Sequence, residues 1–150
     1  MRTVTLASLI LALINFNCSK KDDPSGKTNA ELILGDWIVT GLTFSPMYDY
    51  DGDGLKETNA FSKMEPCEKD NTVSFLAGGV WKNDEGETKC DPADLQTLTG
   101  VWELSANQTT LNIDGDIAEI KFLSNTTLTI EQEFTEMGVD YTQTLTLQRK

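Results

Sequence analysis

A period-two alternation of apolar and polar residues, interrupted every few positions by Gly, Asn or Asp, runs through this chain from Leu32 onward and commits it to strands and turns. Trp37 and Val39 alternate with Ile38 and Thr40, and Val73, Phe75 and Ala77 form the next run. Trp102, Leu104 and Ala106 follow Gly100, Leu111 and Ile113 alternate with Asn112 and Asp114, and Ile120 and Phe122 flank Lys121. Leu128, Ile130 and Phe134 share one face of a further run, and Val139, Tyr141, Leu145 and Leu147 share one face of the last. Strands with a single apolar face pack on one core and leave the other face to water. The links Asn107-Gln108, Asp114-Gly115-Asp116, Ser124-Asn125 and Glu136-Met137-Gly138 suit tight hairpins, so the second half reads as an antiparallel meander. With the earlier runs this makes an all-β fold of about eight strands, a small barrel or sandwich. No helix is expected, only a turn around 91–96.

The first 17 residues follow another pattern. Arg2 precedes an apolar run over 4–16, too short to span a bilayer as a helix, which needs ~20 residues, and it reads as a secretory leader. Cys18 directly after this run resembles the lipobox of bacterial lipoproteins. The resemblance implies cleavage before Cys18, lipidation of its thiol and attachment to a membrane through that lipid anchor. Ser19-Lys20-Lys21-Asp22-Asp23-Pro24-Ser25-Gly26-Lys27 then reads as a polar tether. Its acidic pair is similar to the export signal that sends some Gram-negative lipoproteins to the outer face of the outer membrane, which implies an outer-membrane, surface-exposed location. Ser25-Gly26-Lys27-Thr28 looks like the tail of a phosphate-binding loop, but Lys21 stands where its first glycine belongs, and the stretch reads as linker. The expected organisation is a signal peptide over 1–17, a lipidated tether over 18–30 and one β-domain over 31–150.

Charge narrows the function classes. Twelve Lys plus Arg against 24 Asp plus Glu leave a formal charge of -12, which repels phosphate backbones and sets nucleic-acid binding aside while favouring divalent cations and basic partners. The chain has no histidine, so Ser-His-Asp and Cys-His catalysis are excluded. A carboxylate-dependent hydrolase would need two facing acids, and no pair stands out. Glu131 and Glu133, on one face of their run, read as a solvated sheet face.

Gly35-Asp36-Trp37, Gly79-Val80-Trp81 and Gly100-Val101-Trp102 are three Gly-x-Trp triplets without wider repetition. Together with the run Cys67-Glu68-Lys69-Asp70-Asn71-Thr72-Val73-Ser74-Phe75 and a later cysteine upstream of the third triplet, they make 32–149 resemble the lipocalin-like domain of bacterial lipoproteins. The resemblance implies a β-barrel whose first-strand indole closes the bottom. Core packing is the simplest role for all three tryptophans, with Trp37 and Trp102 both buried. Once Cys18 is lipidated, Cys67 and Cys90 are the two remaining thiols in an oxidising compartment, and a disulfide between them is the simplest expectation over a reactive thiol pair or a metal site.

One loop carries a metal-ligand pattern. Asp49-Tyr50-Asp51-Gly52-Asp53-Gly54-Leu55-Lys56-Glu57 resembles the calcium loop of EF-hand proteins, in which alternate carboxylates precede a glycine. By that resemblance Asp49, Asp51 and Asp53 supply side-chain oxygens to calcium, Leu55 its carbonyl, and Glu57 a ligand directly or through water. Ala60 replaces the bidentate acid at the twelfth position, leaving Asn59, Glu65 or Glu68 to complete the site; the alternative is a solvated acidic turn. The chain as a whole reads as a non-enzymatic binding or accessory module of the cell envelope, for a small apolar molecule, a glycan or a protein partner.

Overall fold

A computed structural model describes residues 26–150. The expected signal peptide, the lipidation at Cys18 and most of the tether lie outside the described residues.

The described chain opens with a helical turn, α1 (Asn29–Leu32), where the alternation suggested tether and strand. Thr28 caps it: the hydroxyl accepts from Glu31 N, and the Glu31 carboxylate accepts from Thr28 N at 2.8 Å. One turn is too short to hold itself. Tertiary contacts hold it, with Leu32 and Ile33 buried and Asn29 Nδ2 donating to Gln108 O at 2.8 Å.

The strands are β1 (Gly35–Tyr48), β2 (Glu57–Asn59), β3 (Thr72–Leu76), β4 (Val80–Asp84), β5 (Thr97–Leu104), β6 (Thr110–Ile113), β7 (Asp116–Leu123), β8 (Thr127–Glu136) and β9 (Val139–Arg149), with a 3-10 turn at Ala60–Ser62 and a second helical turn, α2 (Pro66–Lys69), before β3. Every neighbouring pair is antiparallel. β1 pairs with β3 on one side and β9 on the other, so β1 and β3 to β9 close an eight-stranded barrel, while β2 adds to the far part of β1. Closure removes the open edges a sandwich would leave. The region 91–96 is a turn, Asp94 N bonding Asp91 O at 3.0 Å.

Inner-facing residues follow the alternation until a bulge shifts it, first in β1 between Val39 and Gly41, beyond which Leu42 and Phe44 are the buried residues, and again in β7. In β7, Ile120 opposes Ile130 but Phe122 opposes Thr129, so one extra residue sits at Lys121. Phe122, expected beside Ile120, is therefore 55% exposed, and Leu123 packs on the core in its place.

Antiparallel order sorts the connections to two ends. The start of β1, the end of β9 and the short turns β3–β4, β5–β6 and β7–β8 share one end with α1. This end is closed. Trp37, fully buried, donates its indole N–H to Ile33 O at 2.8 Å, and the Arg149 guanidinium lies 4.3 Å from its ring. Arg149 also donates to Leu34 O and Asn125 O, each at 2.7 Å, and to Leu32 O. Gly35 has φ +121°, and a Cβ there would strike the guanidinium, which gives the first Gly-x-Trp triplet its glycine. Phe75, Leu111, Leu128 and Leu147 complete this core.

The other triplets differ. Trp102 is only partly buried, a departure from its expected burial: it meets Phe75 edge-on at 5.5 Å while its N–H reaches Val80 O at 3.0 Å. Trp81 donates to Asp114 Oδ2 at 2.8 Å directly over Gly100, where a Cβ would collide with both groups.

Candidate functional site

At the opposite end the molecule is built from long segments. β1, β8 and β9 run for 14, 10 and 11 residues against five each for β3 and β4, so three strands continue past the barrel as a sheet. Connection 49–71 folds back over this extension. Ala60 is fully buried there with Leu42 and Phe44, and Tyr48, Tyr50, Phe61, Met64 and Phe134 pack around them. Phe134 stacks on Tyr141 at 5.3 Å and meets Tyr48 edge-on at 5.7 Å, so aromatic side chains fill the space between the extended strands. Hydrogen bonding to Glu136, aided by burial, raises the Tyr48 hydroxyl above its ordinary pKa. Burial pushes the Tyr50 hydroxyl up to about 12, with the Glu68 carboxylate adding to the effect.

The Cys67–Cys90 disulfide joins α2 to connection 85–96, its Cα atoms 5.3 Å apart. The pairing expected from the cysteine count is present. Asp70 reinforces it, Oδ2 accepting from Glu87 N and Thr88 N, both at 3.1 Å. Asp84 fixes the other side of the same connection through Gln96 Nε2 and Gly86 N, each at 3.2 Å, and these bonds lower its pKa, Gln96 foremost.

Within connection 49–71, Asp49, Asp51 and Asp53 converge: one oxygen from each lies within 4.8 Å of the others, an arrangement that could hold a metal ion. The loop closes on its own carboxylates, Gly54 N donating to Asp49 Oδ2 at 3.0 Å and Leu55 N to Asp53 Oδ1 at 2.8 Å. The structure answers mutual repulsion among these acids with a residue the motif does not contain. Lys63 Nζ lies 3.1 Å from Asp51 Oδ2, 2.9 Å from Asp53 Oδ2 and 3.3 Å from Glu57 Oε1. Its bonds to Asp53 first, then Asp51 and Glu57, hold the ammonium well above the ordinary lysine value. Lys63 in turn, followed by Leu55 N, lowers the Asp53 carboxyl.

Of the other expected ligands, Glu57 joins the three aspartates through Lys63, and the Leu55 side chain is exposed. Glu68 is engaged elsewhere: it accepts from Glu65 N at 2.6 Å, capping α2, and from the Tyr50 hydroxyl at 3.2 Å. Ala60, at the twelfth loop position, serves the aromatic core. Asp49 Oδ1 is buried without a hydrogen-bond partner, so one oxygen of the cluster is left unsatisfied.

Among the described residues, two of the depressions open to solvent stand out. One, of about 400 Å³, lies on the β8–β9 rim between Glu133, Phe134, Asp140 and Tyr141. The other, of about 380 Å³, lies on the wall by Leu104, Asn112 and Ile117. Glu131 lies in an ion pair with Lys121 at 3.0 Å, and Glu133 is exposed, in keeping with a solvated face.

A family model described as a lipocalin-like domain matches residues 33–130. None of the curated proteins matches the chain.

Proposed function

The chain belongs to the lipocalin-like domain family, and from that premise we propose that it is an outer-membrane lipoprotein, anchored through Cys18, that acts as a non-enzymatic binding module. Lipocalin-like folds commonly serve ligand binding. The observation that carries the reading is the asymmetry of the barrel: short turns and the Trp37–Arg149 contact seal one end, while the other carries two long connections cross-linked by Cys67–Cys90. Because Phe44, Tyr48, Phe134 and Tyr141 fill the space between the extended strands, recognition of a glycan or protein by the loops fits better than uptake of a small apolar molecule.

In this reading calcium orders the loop around Asp49, Asp51 and Asp53. An all-oxygen donor set suits a hard cation, and the unpartnered Asp49 oxygen supplies an acceptor for it. Lys63 holds the same carboxylates in the absence of a metal and competes for them. Calcium, when bound, would neutralise the loop and free Lys63.

Two measurements test the proposal. Cys18→Ala should lose both the acyl mass and the membrane fraction; retention in the membrane would reject the anchor. Calorimetric titration of chelator-treated protein should show calcium-dependent heat that Asp51→Ala with Asp53→Ala removes. Absence of heat at millimolar calcium, or an unaltered response in the double variant, would reject the calcium site.

A further inference from the structure

We propose that the closed end of the barrel is a lipid-facing surface, on which Leu76, Val80 and Val101 rest against the bilayer and turn the long loops away from it. This rests on the lipid-anchored reading above and adds an orientation to it.

The first observation is an apolar row. Leu76 opposes Val80 and Val80 opposes Val101, so three neighbouring strands present apolar side chains at one level, 43%, 40% and 65% exposed. Trp81 and Phe75, on the alternate positions of the same strands, face the core, which puts the row on the outside. Leu76 and Val80 flank the β3–β4 turn, at the α1 end. The Asp114 carboxylate beside Val101 is turned onto Trp81 Nε1 and Val101 N, both at 2.8 Å, so it already has two donors.

The second observation is where charge lies. The turns at the closed end, Ala77-Gly78-Gly79, Ser105-Ala106-Asn107-Gln108-Thr109 and Ser124-Asn125-Thr126, contain no charged residue, and Lys27, Arg149 and Lys150 at the same end are balanced by Glu31, Asp36 and the exposed Glu103. Connections 49–71 and 85–96 instead carry Asp49, Asp51, Asp53, Glu87, Asp91 and Asp94 among their acids. An anionic bilayer repels that end and tolerates the neutral one.

The third observation is the point of attachment. Cys18 precedes Lys27 by nine residues, which covalent geometry limits to ~30 Å of reach. α1 packs at the closed end, so an acyl chain on Cys18 keeps that end near the membrane, whereas β1 alone runs about 45 Å along its own direction toward the loops.

The test uses the full chain expressed in a Gram-negative host and reconstituted into phosphatidylethanolamine–phosphatidylglycerol vesicles containing brominated lipid. An environment-sensitive fluorophore is attached in Val101→Cys or, separately, in Met137→Cys at the tip of the β8–β9 turn. Bromolipid should quench the label at 101 several-fold more than the label at 137. Val80→Glu introduced into the Val101→Cys chain should remove most of that quenching while the protein still pellets with the vesicles. Equal or reversed quenching at the two positions, or quenching indifferent to Val80→Glu, overturns the orientation alone. A chain that remains in the supernatant refutes the anchor and the orientation together.

Discussion

The two ends of this barrel are held by different physics. At the closed end a tryptophan with no exposed surface and an arginine bonded to three carbonyls tie α1 and the start of β1 to the end of β9 and the β7–β8 turn. At the loop end, connection 49–71 has its own small aromatic core but depends on a covalent bond to 85–96 and on one lysine among acids. Burial stabilises the first, and cross-linking with charge neutralisation stabilises the second.

The largest expected effect falls on the closed end. Trp37→Ala should cost about 3–5 kcal/mol, much of a total that is typically ~5–15 kcal/mol, and urea unfolding should show the midpoint collapse. A small loss would mean that the closed end is not the main source of stability. Second comes the disulfide: Cys67→Ser with Cys90→Ser should cost about 3 kcal/mol for a loop of this size. Hydrogen exchange should rise first in 49–71 and 85–96 and least around Trp37 and Leu147. A uniform rise would break the division into two ends.

Smaller is the effect of Lys63→Gln, which leaves Asp51, Asp53 and Glu57 without their ammonium. Calcium-free protein should melt slightly lower, and the upward shift on adding calcium should grow; equal calcium shifts in parent and variant would show that Lys63 does not compete. The smallest effect is pH dependence of the same cluster. Lys63, above all, holds the Asp53 carboxyl below its ordinary 3.8 in the folded chain. Its contribution is therefore present above 3.8 and is lost as pH falls through the lower folded value. Lys63 is raised above 10.5, so its contribution persists below 10.5 and is lost only as pH climbs through the higher folded value. A scan of melting temperature in chelator should show both edges, and Lys63→Gln should flatten the alkaline one.

Much of this architecture is legible in local pattern, because strand geometry has a fixed period and tight turns need particular residues. The inner faces of β5, β6, β8 and β9 follow the alternation, β1 follows it only as far as Val39, and Asp114-Gly115 and Met137-Gly138 have positive φ at both residues, as the hairpin expectation requires. The cysteine count pointed to Cys67–Cys90. Thr28-Asn29-Ala30-Glu31 carries a capping-box signature that was available in the linear sequence, yet its flanks resemble linker and conceal the helical turn.

Other features arise only on folding. The bulge at Lys121 reverses Phe122 because register is set by the partner strand, which imposes no mark on the residue that bulges. Trp102 looks like Trp37 in its triplet but closes against Phe75 on a less covered wall. The acidic loop announced three aspartates, whereas its counter-ion comes from Lys63, 12 residues from Asp51 and outside any calcium-loop spacing. The residues themselves determined strands, turns, thiols and charge, since each depends on covalent structure or near neighbours. Closure of β1 on β9, the sealing of one end and the partner of each carboxylate were decided by contacts between distant segments, whose separation along the chain follows no fixed period.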